Sequence, residues 1–181
     1  MVLYINCCAR RASRTDRLAR AVLNKLDGEV CELKLYEEDL RPLNEETLSK
    51  RTELAARGDF SNGMFRYAKQ LAAADKIVIA APYWDLSFPA MLKTYIENIY
   101  VIGIVTDYTD EGRPFGLCRA DELWYVTTAG GPYVAEYSYG YIESLAKRYF
   151  GIPVTRLVKA EFLDYVGSDP EKILRDTISS L

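Results

Sequence analysis

The stretch Lys76-Ile77-Val78-Ile79-Ala80-Ala81-Pro82-Tyr83-Trp84-Asp85-Leu86-Ser87-Phe88-Pro89-Ala90-Met91-Leu92-Lys93 decides the fold. After Lys76 it opens as an unbroken apolar run rich in β-branched side chains, the pattern of a strand buried on both faces. Pro82 ends the run, two aromatics follow it, and Pro89 opens a helical segment that reaches Tyr100. A strand of this kind needs helices above and below it, and its parallel neighbours are reached through crossover helices.

The same alternation extends in both directions. Residues 2–5, 30–36, 122–127 and 154–160 give four further strands, and residues 13–26, 63–74, 89–100 and 133–150 read as the helices between strands. The segment 13–26 carries its apolar face on Leu18, Ala19, Ala21, Val22 and Leu26. An α/β chain with five such strands predicts a flavodoxin-like three-layer sandwich with a parallel sheet of order 2-1-3-4-5. In that order the loops after strands one, three and four converge at the carboxyl edge, where ligands bind. Residues 37–57 are polar, with Pro42 and a helical pattern over 44–57, and read as a solvated excursion. Near the carboxyl end, Asp169 and Pro170 predict a helix start, as cap and first helical residue.

Composition narrows the chemistry. The chain has 181 residues, 49% of them hydrophobic, which suffices for one core, so residues 1–181 are expected to form one domain. A net charge of -3 advertises neither a nucleic-acid nor a membrane partner and leaves a small molecule. No stretch reaches the roughly 20 apolar residues of a membrane span, and no secretory leader is evident, so a cytoplasmic protein is expected. Cys7, Cys8, Cys31 and Cys118 show neither disulfide-framework nor zinc spacing, and no metal site is expected. Histidine is absent altogether, which removes the usual general base and the commonest metal ligand. A cofactor, a cysteine, a carboxylate or a tyrosine must then carry the reaction.

Three loops offer that chemistry. The first, Asn6 to Leu18, is basic and hydroxyl-bearing and runs into a helix; free N–H groups, Ser13, Thr15, Arg10 and Arg14 could enclose a phosphate there. Ser13 as a plain helix cap with solvated arginines fits the same residues. The second, Pro82-Tyr83-Trp84-Asp85-Leu86, could line a flat ring, or its aromatics could be ordinary core. In the third, Thr127-Thr128-Ala129-Gly130-Gly131-Pro132-Tyr133, the glycines let the main chain approach a ligand, although a simple turn would also use them. The fold brings all three together, which favours a shared ligand.

These loops resemble those of the flavodoxin-like NAD(P)H quinone reductases and FMN-dependent azoreductases over nearly the whole chain. The similar signatures are Ser13-Arg14-Thr15 with Leu18, Pro82 to Pro89 leading into Leu92-Lys93, Thr127 to Gly131, and Tyr149-Phe150-Gly151-Ile152. The resemblance implies tightly bound FMN, with NADH or NADPH as reductant and a quinone, azo compound or similar small acceptor. Hydride would pass through the flavin in a ping-pong cycle with no obligatory protein acid or base. By the same resemblance Ser13, Arg14 and Thr15, with Cys8 and Arg10 beside them, would hold the flavin phosphate. Pro82, Tyr83, Trp84, Asp85 and Leu86 would line the isoalloxazine, with the Asp85 N–H facing flavin N5. Thr127, Thr128, Ala129, Gly130, Gly131 and Tyr133 would contact the pyrimidine side. Asp85 stands where the azoreductases carry asparagine, and Cys8 where serine is frequent. Members are usually homodimers with flavin at the interface, which makes the stripe Tyr95, Ile96, Ile99, Tyr100, Val101, Ile102 a candidate interface as well as candidate core.

Two other functions fit part of the sequence. Cys8, five intervening residues, Arg14 and Thr15 match the spacing of a protein tyrosine phosphatase loop, with Asp169-Pro170 resembling the acid loop of the low-molecular-weight enzymes. That chemistry gives no reason for Tyr83-Trp84 or Gly130-Gly131. A non-catalytic FMN electron carrier would share the fold, but such carriers tend to be strongly acidic.

Overall fold

The computed structural model describes residues 1–181, and its main sheet is parallel throughout. The chain runs through β1 (Val2–Asn6), α1 (Arg14–Leu23), β2 (Val30–Lys34), α2 (Glu45–Ala56), α3 (Arg66–Ala73), β3 (Lys76–Ala80) and α4 (Ala90–Ile99). It continues through β4 (Thr106–Tyr108), β5 (Pro114–Gly116), β6 (Glu122–Thr128), α5 (Tyr139–Leu145), β7 (Val154–Ala160) and α6 (Pro170–Ser179). The sheet order is β2-β1-β3-β6-β7, the expected flavodoxin-like order with β6 and β7 as its fourth and fifth strands. The register aligns Val2 with Val30 and Lys76, and Lys76 with Glu122, so four strand ends meet at one carboxyl edge.

Strand alternation divides the core in two. Leu3, Ile5, Ile77, Ile79, Leu123 and Tyr125 face the larger half, which packs against α3, α4 and α5. Val2, Tyr4, Val78, Ala80, Val126 and Val158 face the smaller half under α1 and α6. Helix α1 fits there because Thr15, Leu18, Ala19, Val22 and Leu23 recur on one face, and Ser13 caps it by accepting from the Asp16 N–H at 3.3 Å. Helix α2 carries a reciprocal Asn44–Thr47 capping box and has no fully buried residue, as a solvated excursion should, with Leu54 alone packing partly against the core. Asp169 caps α6 and Pro170 is its first residue.

Several boundaries differ from those the sequence predicts. Strand β2 stops at Lys34, because Leu35–Glu37 turns into a 3-10 helix that buries Leu35. Helix α1 ends at Leu23, and residues 63–65 form a 3-10 turn ahead of α3. The helix expected from 133 begins only at Tyr139, since Tyr133 is drawn aside by Glu161 through its N–H, and residues Ala146–Phe150 form a π-helical turn. That turn ends at left-handed Gly151 (φ 75°), against which β5 packs so closely that a Cβ on Gly116 would lie 1.9 Å from the Gly151 nitrogen. Of the stripe, Tyr95, Ile96, Ile99 and Val101 are buried in the core, Tyr100 is half-buried against it, and Ile102 is exposed.

Candidate functional site

The carboxyl ends of β1, β3, β6 and β7 surround a cleft of about 400 Å³, within the range of small-molecule sites. It lies beside the topological switch, since the chain leaves β1 toward β2 on one side and returns to β3 on the other. Of the residues expected to act, Arg10, Ser13, Arg14 and Thr15 line it from the first loop. Pro82, Tyr83 and Trp84 line it from the second, and Thr128, Ala129 and Gly130 from the third.

One end of the cleft presents donors that the chain itself leaves unpaired. Of the opening N–H groups of α1, Asp16 bonds to Ser13 Oγ and Arg17 to Ser13 O, which leaves those of Arg14 and Thr15 without an acceptor in the chain. The Ser13 hydroxyl accepts from Asp16 and still has its own hydrogen to donate. Thr15 is buried, with Oγ1 2.6 Å from Thr128 Oγ1, so the two loops share a hydroxyl pair at the cleft floor. Below, Asp16 accepts from Tyr4 at 2.6 Å, Asn6 at 3.0 Å and Arg20 at 2.9 Å, which fixes the first turn of α1.

The other end is built by a tight turn. Trp84 and Ser87 exchange N–H···O bonds of 3.0 and 2.8 Å around Asp85 and Leu86, which have φ of 50° and 66°. Such a two-residue turn requires left-handed backbone at both central positions, where glycine or asparagine is usual. A leucine there stores strain. The Tyr83 N–H bonds to Thr128 O at 3.1 Å, its hydroxyl accepts from the Val134 N–H, and its ring meets Tyr133 edge-on at 4.9 Å. Second and third loops are thereby locked together.

A fourth segment, without any mark in the sequence analysis, also builds the site. Residues 162–164, after β7, strap the glycine loop: Phe162 N–H donates to Gly131 O, Leu163 to Ala129 O and Asp164 to Gly130 O, at 2.9–3.2 Å. The Glu161 carboxylate accepts from the Tyr133 N–H at 2.9 Å. Leu163 and Asp164 line the cleft, and Arg14 donates to Asp164 across it. The Gly130 and Gly131 N–H groups remain without an acceptor in the chain.

Other expected residues stand apart from the cleft lining. Cys8 opens onto a neighbouring groove, Asp85 and Leu86 form the exposed tip of the turn, and Gly131 and Tyr133 follow the lining residue Gly130 without lining the cleft themselves. Thr127 is fully buried, because it alternates with Thr128 and points to the opposite face. Burial pushes the Cys8 thiol up to about 11, with the nearby Asp16 opposing its ionisation further. Arg14 lines the cleft whereas Cys8 lines the neighbouring groove, so the two are not brought to one cavity as a phosphatase thiolate and its arginine would be.

Fold and cleft together define a flavodoxin-like protein whose cleft has free amides, hydroxyls and arginines at one end and aromatic side chains at the other. The chain matches the family described as flavodoxin-like fold over residues 1–179 and belongs to that family. It is 37% identical to the FMN-dependent NADH:quinone oxidoreductase 2 of Clostridium acetobutylicum, over 98% of this chain and 94% of the relative. It is also 37% identical to the FMN-dependent NADH:quinone oxidoreductase of Clostridium beijerinckii, over 98% and 93%. Among solved structures it resembles an azoreductase from Bacillus anthracis with a TM-score of 0.83 and 26% identity, over 99% of this chain and 95% of that one.

Proposed function

We propose that this chain is an FMN-dependent NADH oxidoreductase that reduces a quinone, an azo compound or a similar small acceptor by a ping-pong cycle at one site. The observation that carries this is the meeting, in one cleft, of the unpaired amides of Arg14 and Thr15, the Tyr83-Trp84 wall and the unpaired amide of Gly130. A phosphate, a flat ring and a charge-accepting ring edge are matched in turn. Both clostridial relatives, named for FMN and NADH, support the cofactor and favour NADH as reductant.

Bound FMN would supply the two-electron chemistry, taking hydride from the nicotinamide and giving it to the acceptor. Ser13, Arg14 and Thr15 would hold its phosphate, with Arg10 adding charge. Pro82, Tyr83 and Trp84 would form the wall along the ring, and the strained turn would aim the Asp85 amide at the ring's reactive centre. The Gly130 and Gly131 N–H groups would face the pyrimidine edge and carry the negative charge that builds there on reduction, as an oxyanion hole does. The strap at 161–164 keeps those donors in place. Exposed Trp84, Leu86, Tyr137, Phe162 and Tyr165 all lie on segments that follow the carboxyl ends of β3, β6 and β7, and we assign this apolar surface to a homodimer contact.

The test is an absorption spectrum of the purified protein, followed by initial rates of NADH oxidation with a quinone. Oxidised-flavin bands, FMN released on denaturation and parallel double-reciprocal plots are expected. Colourless protein that FMN cannot reconstitute would overturn the cofactor, and intersecting plots would overturn the ping-pong cycle.

A further inference from the structure

Residues of α2, of α4 and of 141–149 enclose a groove of about 370 Å³ that shares no lining residue with the cleft. Two bonds hold the polar excursion against α4: Arg51 Nη1 donates to Glu97 O at 2.7 Å, and Asn98 donates to Arg41 O at 3.0 Å. Ile96 and Leu145 give the groove apolar surface, and Tyr100, Tyr141 and Tyr149 give it three rings. Tyr149 arrives from the π-helical turn, which the Gly151 N–H closes on Ala146 O, an insertion of a kind that recurs at functional sites. Its ring meets Tyr100 edge-on at 5.6 Å, and Tyr141 packs on Phe88 at 5.7 Å. Donors outnumber acceptors here. Half-buried Arg51 carries five N–H groups and finds one acceptor in the chain, the Glu97 main-chain oxygen. The Glu97 carboxylate pairs instead with Lys93 at 2.6 Å, so two cations face one anion. Among the three tyrosines only Tyr100 has a hydroxyl partner in the chain, Tyr108 at 3.2 Å. Burial pushes the Arg51 guanidinium down from its ordinary range, with Glu97 opposing, and an added anion would oppose it further.

We propose that this groove is a second ligand site, separate from the cleft, which takes a small aromatic carboxylate. Each part of such a ligand has a matching group. The planar Arg51 fork meets the carboxylate with two parallel N–H bonds, and the free hydroxyls of Tyr141 and Tyr149 are further donors. The ring of the ligand lies among the tyrosines over Ile96 and Leu145, where flat rings stack or meet edge-on. Two cations against one carboxylate leave one positive charge, which a monoanion balances. A cation of the same shape is repelled by Arg51 and Lys93. A neutral ring leaves the half-buried guanidinium without its acceptor. Because no lining residue is common to groove and cleft, this site stands or falls independently of the flavin reading.

The experiment titrates the purified protein, loaded with FMN, with benzoate by calorimetry, for the wild type and for Arg51→Gln and Tyr149→Phe. Benzoate is expected to bind one site per chain without releasing FMN. Arg51→Gln should weaken it by about tenfold or more and Tyr149→Phe by about fivefold, as losses of a charged and a neutral hydrogen bond. Benzamide, which has the shape without the charge, should not bind, and hexanoate should bind more weakly than benzoate. Benzoate that displaces FMN, that binds the variants as well as the wild type, or that is matched by benzamide or hexanoate overturns the proposal. Should Arg51→Gln loosen the excursion and melt early, Tyr149→Phe decides, since its hydroxyl holds nothing in the fold, and an unchanged affinity there is also fatal. Wild-type protein that takes up no benzoate, with a mass in solution that Arg51→Gln halves, would make the groove a contact between copies and overturn the ligand site. Protein that takes up no FMN yet binds benzoate with the same dependence on Arg51 would sink the flavin reading and support the groove.

Discussion

Arg14 Nη1 donates to Asp164 Oδ1 at 3.0 Å, a bond between residues 150 positions apart that joins α1 to the strap after β7 across the mouth of the cleft. Asp164 is anchored by its own N–H to Gly130 O, and its Oδ2 lies 2.5 Å from where a side chain on Gly130 would begin. A carboxylate therefore occupies the end of the cleft assigned to a phosphate, and neutralises the arginine that the phosphate needs.

Asp164→Asn is expected to tighten FMN binding about fivefold, since relieving one partly exposed like-charge contact is on the order of 1 kcal/mol. Quenching of flavin fluorescence on titration measures it. Affinity unchanged or lower in a folded variant would show that Asp164 does not oppose the phosphate.

Ser13→Ala combined with Thr15→Ala should weaken FMN by a few kcal/mol, at about 1 kcal/mol per neutral hydrogen bond and more toward a charged phosphate. Because Ser13 caps α1 and Thr15 meets Thr128, melting of the double variant must be followed in parallel. Thr15→Ser, which keeps the hydroxyl, should retain most of the affinity. Full FMN affinity in a folded double variant would remove the phosphate assignment.

Asp85→Asn should raise the flavin midpoint potential by some tens of millivolts. A carboxylate near the ring opposes added electron density, and about 30 mV corresponds to 1.4 kcal/mol for a two-electron couple. Asparagine accepts the left-handed backbone at φ 50° as readily as aspartate, so the turn itself should persist. Photoreduction against a reference dye gives the shift, and an unchanged or lower potential would show that the side chain turns away.

Acid should loosen the glycine loop before it unfolds the chain. The Lys159 ammonium hydrogen-bonded to Glu161 holds its carboxyl below the usual range, with burial opposing and the Tyr133 N–H assisting. A depressed native pKa means that this anchor is at full strength above the ordinary glutamate value of 4.5 and is lost as pH falls through the lower native value. FMN release below about pH 4.5 should therefore move upward in Glu161→Gln, as read by free-flavin fluorescence. An identical release profile would remove Glu161 from the loop's support.

Gly116→Ala should cost more than about 4 kcal/mol or prevent folding, because its methyl would overlap main-chain atoms of Phe150 and Gly151 rather than a movable side chain. Urea denaturation measures the loss, and a change under about 1 kcal/mol would mean that the β5 contact is dispensable.

The sheet was legible because parallel strands buried on both faces leave runs such as Ile77-Val78-Ile79 that nothing else resembles. The hairpin of β4 and β5 was not, since three residues per strand are too few for a period, and its support comes from Phe150 and Gly151, far along the chain. In the cleft, the loops could be found because each follows a strand. The strap at 162–164 could not, because it acts through main-chain bonds to residues about 30 positions earlier and only the acid of Asp164 marks it. The stripe on α4 was ambiguous for a related reason: Tyr95, Ile96 and Ile99 look alike whether they meet a partner or the sheet, and here they meet the sheet.

The pair of left-handed residues at the Trp84–Ser87 turn sets a conflict between endurance and turnover. A library of this gene screened only for survival at high temperature should enrich glycine or asparagine at position 86, where either exchange relaxes the backbone that leucine strains. Winners of such a screen would fold better and reduce their substrates more slowly. Heat resistance alone is therefore a poor guide when breeding faster forms of this protein.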